Sequence, residues 1–309
     1  LIQVSTPNNN YVFDVLGLEQ LKPLIKVMHD KAVQKIFHDV SFDLRILNSE
    51  LSCKPKNIFD TQIAALLLGK KEVSLAALLK YYFGTKKEEK FQMANWTTRP
   101  LSSEMLNYAV KDTAYLIKLK DILKKELQQV NRLSWSEEEF LAVEKAGLMY
   151  KEGTYQDVRG VKHLTPKERA LFKRFFNARK KLAKKVNRPV HYIINNKSLV
   201  ELAKKPYMTF DQWKRIKRVH PIVKRKARLF YESVNEAKNE AIHLPQKKKL
   251  KLSNEQRELS KKLGEARDEA SAKVGIQGYL LLSKEQHKTI IRSQSYNCLR
   301  NWQRSLIKQ

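Results

Sequence analysis

Two aspartates occupy positions where helices normally carry apolar residues, and they are the side chains here best suited to chemistry. The segment Ser102–Leu127 has the three- and four-residue apolar spacing of one amphipathic helix, with Ser102 as a candidate N-cap. Asp112 falls on its apolar stripe, and Tyr108 lies one turn earlier on the same side. A carboxylate pressed against a core is costly unless a partner balances its charge. A metal ion would be one such partner, so we expect Asp112 to be functional.

The second aspartate is Asp43, in a helix that we expect to begin near Ser41. It shares the expected inward side of that helix with Val40 and Leu44. The sequence leaves a purely structural interpretation equally open, because the helix dipole favours an acid in the first turn. His38 is the one histidine beside a candidate acid.

Carboxylate oxygens are the ligands that Mg²⁺ and Mn²⁺ prefer, whereas zinc favours histidine and cysteine, which form no cluster here. Two divalent ions held close together can activate water and stabilise the leaving oxygen of a phosphodiester. Tyr108 could orient that water, although packing in a core with a partner for its hydroxyl is the ordinary alternative. Two aspartates are too few for two ions. Asp14, the only strand acid of the first domain, we expect to be structural.

Other catalytic systems leave no trace in the sequence. It contains neither Gly-x-x-x-x-Gly-Lys-Ser/Thr nor Gly-x-Ser-x-Gly, which argues against ATP-driven chemistry and a serine nucleophile on a hydrolase elbow.

Positive charge is concentrated in the second half of the chain. The net charge is +29; residues 1–150 hold 21 Lys and Arg against 18 Asp and Glu, and residues 151–309 hold 40 against 14. A compositional bias toward lysine would have loaded both halves, so we expect the second half to bind a polyanion, most simply nucleic acid.

Several features bear on the compartment. There is no apolar run long enough to cross a bilayer, and the first residues have neither the charged region nor the cleavage site of a secretory signal. Cys53 and Cys298 are far apart, as expected of free thiols in a reducing cytosol. We therefore predict a cytoplasmic protein.

The first half alternates strands and helices, which indicates an α/β domain. We expect strands at 1–5, 11–15 and 34–37, the first two joined by a hairpin turn at 8–10. We expect helices near 18–28, 41–51, 61–68, 75–83 and 102–127, the third capped by Asp60 and the fourth ended by Gly84. A strand pattern that opens at residue 1 suggests a fragment.

The second half is helical. A helix is expected from Ser136 to about Tyr150, and then five capping boxes, the sequence signature of helix starts, predict small helical bundles. The boxes begin at Thr165, Ser198, Thr209, Ser253 and Ser283. A lysine-rich run at 244–251 divides the bundles. The expected domains are 1–130, a connector at 131–162, 163–243 and 250–309.

In order and spacing, the motifs of the first domain closely resemble the DEDDy family of 3′–5′ exonucleases and its ribonuclease D branch. The resemblance lies in Ile36–Leu44 with His38 and Asp43, in Asp60-Thr61, and in Trp96–Leu101 followed by Tyr108 and Asp112. Residues 165–237 resemble an HRDC domain, a helical nucleic-acid-binding module, and residues 250–309 resemble a second, more divergent one.

The resemblance implies a fold and a mechanism. The fold would be an α/β ribonuclease H-like exonuclease domain, a mixed sheet with flanking helices, followed by two all-α HRDC-like bundles. Asp43 and Asp112 would bind two Mg²⁺ or Mn²⁺ ions, and Tyr108 would align or help deprotonate the water that releases 5′-nucleotides. The partner would be RNA, chiefly tRNA precursors, and the protein would act as a monomer.

The RNA would contact the second half of the chain and the neighbourhood of the metals. His38 is a candidate contact, as are the basic residues Lys214, Arg215, Lys217 and Arg218. The aromatic residues Tyr207, Phe210 and Trp213 could stack on bases, but core packing is the favoured interpretation for them.

One family motif is missing. An Asp-x-Glu that supplies two of four metal-binding carboxylates should precede Leu1, and the sequence contains none. We therefore expect the chain to be N-terminally truncated and inactive or severely impaired. Two alternatives stay open: a catalytically inactive RNA-binding scaffold, and a DNA 3′–5′ exonuclease.

Overall fold

The computed structural model describes residues 1–18, 20–85, 91, 94–244 and 252–308, so most of the lysine-rich run at 244–251 lies outside it. The strands are β1 (Ile2–Ser5), β2 (Asn10–Phe13), β3 (Lys35–Phe37) and β4 (Ile58–Asp60). The helices up to residue 145 are α1 (Lys22–His29), α2 (Ser41–Leu51), α3 (Thr61–Leu67), α4 (Leu75–Phe83), α5 (Ser103–Val110), α6 (Leu116–Gln129) and α7 (Leu133–Lys145). Then come α8 (Pro166–Lys185), α9 (Val190–Ile193), α10 (Asn196–Lys204), α11 (Phe210–Lys214), α12 (Pro221–Arg225) and α13 (Ala227–Glu236). The last helices are α14 (Asn254–Val274), α15 (Gly278–Leu281), α16 (Lys284–Ser293) and α17 (Asn301–Ile307).

The strands form two small sheets within the described residues. β1 and β2 are an antiparallel hairpin in the register Ile2 opposite Phe13, with the expected turn between them. β3 and β4 are parallel, with Lys35 opposite Ile58. Strand β4 was not predicted, because its three buried residues are too short a run to distinguish from the start of α3.

Local signals predicted most helix ends. The bounds expected for α2 and α4 are confirmed, and the Asp60 and Ser102 side chains cap α3 and α5. Gly84 ends α4 with φ of 66°. Four of the five capping boxes are confirmed; Ser198 lies inside α10, which Asn195 caps instead.

Three expected helices were wrong in extent. The first starts at Lys22 instead of residue 18, and the helix predicted for 136–150 spans Leu133–Lys145. The single helix predicted for Ser102–Leu127 is two helices, α5 and α6, separated by a turn at 111–115.

The chain forms two compact units, the first from residues 1–150 together with 251–309 and the second from residues 151–250. The larger of two apolar clusters in the described part of the first unit joins its early and late segments. It joins Phe59 of β4 and Leu119 and Leu123 of α6 to Ile290 of α16 and Trp302 of α17. The helices after residue 251 therefore complete the core of the unit that contains the candidate acids. Whether they also form an HRDC-like domain stays a prediction.

The second unit has its own core, built around α8. Phe172 and Phe175 are fully buried, and the Trp213 ring stacks on Phe230 at 5.1 Å between centroids. Arg179 is also buried there, donating to the Ile194 carbonyl oxygen at 2.9 Å. These contacts make residues 151–250 a separately packed helical unit.

Within the first unit, two helix ends meet at a close junction. Arg132 donates to the last carbonyls of both α3 and α14, Leu67 O at 2.8 Å and Val274 O. Gly69 follows α3 with φ of +74° and faces the Gly275 carbonyl so closely that a side chain would collide with it. The chain therefore needs glycine at residue 69 for both conformation and space.

Two features anticipated from composition are observed. None of the helices in the described ranges is long and apolar enough to cross a membrane. Cys53 and Cys298 are both free thiols, the first of them buried.

We expect Gly69→Ala to lower the stability of the first unit by at least about 2 kcal/mol, since a left-handed alanine costs about 1–2 kcal/mol before the collision with Gly275 is counted. Gly84→Ala is the matched control: Gly84 also has positive φ but nothing lies within 4 Å of an added Cβ. Urea unfolding followed by circular dichroism would measure both variants, and equal losses would contradict the role given to the junction.

Candidate active site

Asp43 lies in the first turn of α2, just after β3 and the turn His38-Asp39-Val40. The expectation that it faces inward with Val40 and Leu44 is wrong. Those two residues are buried, whereas the Asp43 side chain is exposed. The rotation between consecutive helical residues explains the difference, because it turns Asp43 away from the Leu44 side of α2.

The Asp43 carboxyl nevertheless titrates abnormally. Surrounding protein raises its pKa to about 6, chiefly by desolvation, and the negative charges of Asp39 and Asp60 add to the effect. A hydrogen bond to its own backbone opposes the rise. Within the described residues, the charges that shift the pKa of this carboxyl are negative, and a bound cation would balance them.

Asp60 fixes the backbone around Asp43. Its side chain is buried, and its carboxylate accepts four backbone N–H groups. Two belong to the turn before α2, Asp39 at 3.2 Å and Val40 at 2.8 Å. The other two, Gln62 at 2.7 Å and Ile63 at 3.2 Å, open α3. The capping role predicted for Asp60 is confirmed. Its bonds to the turn before α2 were not predicted, because they join residues about 20 positions apart in the sequence.

Thr61 orients His38. The fully buried Thr61 hydroxyl donates to the Phe37 carbonyl oxygen at 3.0 Å, so it can only accept from His38 Nδ1, 2.9 Å away. That hydrogen bond assigns the proton to Nδ1 and fixes the plane of the imidazole ring beside β3. Whether His38 contacts nucleic acid stays a prediction.

Asp112 lies in the turn between α5 and α6, not deep within a helix as expected. The last turn of α5 tightens, with Asp112 N donating to Ala109 O at 3.2 Å. Thr113 in the same turn is held 2.7 Å from the Ser5 hydroxyl of β1. The two residues are 108 positions apart in the sequence. Their contact accompanies the break in the predicted helix, which helical periodicity did not reveal. Asp112 is partly buried.

Tyr108 sits in an aromatic cluster one turn before Asp112. Its ring lies 5.8 Å from Phe91 and 6.0 Å from Trp96, centroid to centroid. The Trp96 indole donates to the Phe91 carbonyl oxygen at 3.1 Å, which ties the cluster together. These contacts hold the ring of Tyr108 in place, so the packing that was the ordinary alternative for this residue is observed. Whether its hydroxyl orients water stays a prediction.

Asp14 pairs with Arg99, as its expected structural role requires. Arg99 donates through both Nε and Nη2, the second at 2.9 Å from Oδ1, and this pairing lowers the pKa of the Asp14 carboxyl. The pair joins the end of β2 to the segment before α5, and α5 packs against both strands of the hairpin.

The elements beside the two candidate acids are linked through β3 and α6. β3 leads into the turn before Asp43 and packs against α6, which Asp112 precedes. Across the described ranges, no group of three or more His, Cys, Asp and Glu residues could hold a metal ion. The carboxylate oxygens of Asp43 and Asp112 therefore suit Mg²⁺ or Mn²⁺ in kind, but they are too few for two ions.

In the second unit, the predicted basic contacts alternate with core residues. Lys214, Arg215, Lys217 and Arg218 are exposed, whereas Trp213 and Ile216 between them are buried. Trp213 is fully buried and its indole donates to the Tyr207 carbonyl oxygen at 3.0 Å, so its core interpretation is confirmed. Phe210 is exposed, so the core interpretation is wrong for that residue. Residues 151–250 carry 28 Lys and Arg against 8 Asp and Glu, which locates most of the positive charge there.

Comparison with known proteins agrees with this organisation. The family described as 3′–5′ exonuclease matches residues 1–128, and the HRDC domain family matches residues 168–235. Ribonuclease D of Desulfotalea psychrophila is 30% identical over 208 residues, 66% of this chain and 56% of that protein. Residues 1–128 therefore belong to the 3′–5′ exonuclease family, and the chain is similar to ribonuclease D.

Two further proteins are similar to this ribonuclease D-like chain. Rat exosome complex component 10 is 30% identical over 214 residues, 66% of this chain and 24% of that protein. The chain thus spans between about a quarter and about half of these curated relatives. The crystal structure of Escherichia coli RNase D, described as an exoribonuclease involved in structured RNA processing, covers 99% of this chain and 85% of its own, with a TM-score of 0.67 and 19% identity. That likeness shows the fold: an exonuclease domain followed by an HRDC helical domain.

Asp60→Asn should destabilise the exonuclease domain by about 2–4 kcal/mol, because the amide NH₂ would face backbone N–H groups that the carboxylate now accepts. Thermal unfolding of the first unit would measure the loss. Asp14→Asn is the comparison, since it removes an exposed carboxylate paired with a side chain; a larger loss for Asp14→Asn would contradict the anchoring role of Asp60.

The pKa of Asp43 predicts a pH dependence in metal-free protein. Because the folded-state pKa is raised from 3.8 to about 6, the fold binds this proton more tightly than the unfolded chain. Its stabilising contribution is complete below the ordinary pKa and is lost as pH rises through about 6. As the pH rises from 3.8 to about 6, the free energy of unfolding of the unchanged chain should therefore fall relative to that of Asp43→Asn. Carboxyl-carbon NMR would check the assignment, and titration near 3.8 would contradict it.

Proposed function

We propose that this chain is the metal-dependent core of a 3′–5′ exoribonuclease that trims structured RNA, most directly tRNA precursors. The observation that carries the proposal is the position of Asp43, whose solvent-facing carboxyl lies under the negative charges of Asp39 and Asp60 in a domain of the 3′–5′ exonuclease family. The similarity to a ribonuclease D and the concentration of positive charge in residues 151–250 support RNA as the substrate.

In this mechanism Asp43 and Asp112 would hold two Mg²⁺ or Mn²⁺ ions together with further carboxylates. Bound divalent ions supply activation of water and neutralisation of charge on the phosphate oxygens. Tyr108, held by Phe91 and Trp96, would orient the attacking water through its hydroxyl. The attacking water would lose one proton as its oxygen bonds to the terminal phosphorus. The bond from phosphorus to the 3′ oxygen would break, and that oxygen would take up one proton in exchange. The products are one 5′-nucleotide and an RNA shorter by one residue.

The second unit would hold the body of the RNA. Lys214, Arg215, Lys217 and Arg218 are exposed and would neutralise phosphates without choosing sequence. Part of the same proposal is that the protein acts as a cytoplasmic monomer, a compartment consistent with its two free thiols.

The number of candidate metal-binding carboxylates bears on the activity of this polypeptide by itself. The sequence has no Asp-x-Glu, and the described residues offer no third acid to the metals. We therefore propose that the 309-residue polypeptide alone hydrolyses RNA poorly. The same observation favours the alternative of an RNA-binding scaffold, which metal binding would distinguish.

Hydrolysis by the protein purified from its source tests the enzyme proposal. With Mn²⁺ and RNA bearing a 3′-hydroxyl, we expect stepwise release of 5′-nucleotides, lowered roughly 100-fold or more by Asp112→Asn. RNA with a 3′-phosphate and a matched DNA strand are the substrate controls. Faster cleavage of the DNA would favour a DNA exonuclease, and equal rates for Asp112→Asn and the unchanged protein would reject the mechanism. Calorimetry should show Mn²⁺ binding that Asp43→Asn weakens; its absence would support the scaffold.

A further inference from the structure

Tyr81, near the end of α4, is the most exposed Phe, Tyr or Trp side chain in the described part of the chain, at 72%. A single exposed aromatic residue needs no explanation in general. Tyr81 is different because its ring is held in place by its neighbours. It meets the Tyr82 ring at 87° with 4.8 Å between centroids, and Lys70 Nζ lies 4.9 Å from its centre.

The lysine that contacts Tyr81 is itself fixed. Lys70 Nζ pairs with Glu126 Oε2 of α6 at 2.9 Å, and the same carboxylate accepts the Tyr82 hydroxyl at 2.8 Å. Burial lowers the pKa of Lys70, but hydrogen bonds to Tyr82 and Glu126 outweigh it and raise the pKa overall. Burial also raises the pKa of Tyr82 to about 12, so its hydroxyl stays a donor. The cluster therefore keeps its cation and its hydrogen bonds at neutral pH.

The contacts of Tyr82, Lys70 and Glu126 explain how α4 and α6 are joined. They do not explain Tyr81, whose exposed ring adds little to that junction. What the cluster provides around Tyr81 is an ordered aromatic surface with a cation alongside it. Such a surface loses little conformational freedom when a flat aromatic group stacks on it.

The helix that carries Tyr81 contacts the segment that follows Asp112. Two residues later Phe83 ends α4, and its ring packs 5.2 Å from that of Tyr115. Tyr115 lies three residues after Asp112, at the start of α6. Two further cations, Lys71 and Lys80, are exposed in the segments that carry the cluster.

We propose that Tyr81, supported by Lys70, is a base-stacking platform for the single-stranded 3′ segment of RNA approaching Asp112. This inference rests on the proposed function and adds a contact in the exonuclease domain to those expected of the second unit. The platform accepts any base, because each presents a π-face, and Lys71 and Lys80 attract the flanking phosphates.

Binding without hydrolysis tests the platform. The full chain is titrated, in a chelator that removes divalent ions, with a single-stranded RNA of about six nucleotides carrying 2-aminopurine near its 3′ end. Stacking quenches the fluorescence of this base. We expect Tyr81→Ala to abolish the quenching and weaken binding roughly 5- to 150-fold, and Tyr81→Trp to retain both.

Tyr279→Ala is the matched control, because Tyr279 is a 55% exposed tyrosine of the same unit. It should bind like the unchanged chain, and none of the variants should shift the thermal midpoint, since they alter exposed side chains. Unchanged quenching and affinity in Tyr81→Ala would overturn the platform while leaving the proposed function intact. Failure of the unchanged chain to bind the RNA would contradict the proposed function itself, and the platform with it.

Discussion

The arrangement of the exonuclease domain depends on one buried carboxylate. Asp60 accepts backbone N–H groups from the turn before α2 and from the first turn of α3, so a single side chain sets the entry of two helices. Asp43 lies three residues after that turn, and His38 is the first residue of the turn. Two of the four acceptor bonds of Asp60 therefore fix the backbone from which the helix of Asp43 starts.

Positive charge is distributed unevenly along the chain. The unit with the candidate acids is nearly neutral over residues 1–150, where a strong positive field would compete with metal ions for the carboxylates. Residues 151–250 carry most of the positive charge in an all-helical unit with a separate core. In the proposed function, attraction of a polyanion and coordination of cations would therefore fall mainly to different parts of the chain.

Sequence reasoning succeeded where the deciding interaction was local. The bounds of α2 and α4, the Asp60 cap and four capping boxes all depend on residues within a few positions of one another. Sequence reasoning failed where a contact between residues far apart in the sequence determined the local structure. The turn that carries Asp112 is held against Ser5 of β1, and no helical periodicity contains that information. The exposure of Asp43 was missed because Val40 and Leu44 gave the helix an apolar side without showing how far it extended.

The shared core of the first unit has a consequence for the order of folding. Phe59, Leu119 and Trp302 belong to one cluster, and Arg132 holds the ends of α3 and α14 together. During synthesis from the N-terminus, the contiguous residues 151–250 can pack as soon as they emerge. The exonuclease unit has to wait for α14–α17, with the apolar faces of α3 and α6 uncovered meanwhile. A chain that carries its candidate active-site acids within its first 112 residues thus completes their scaffold last.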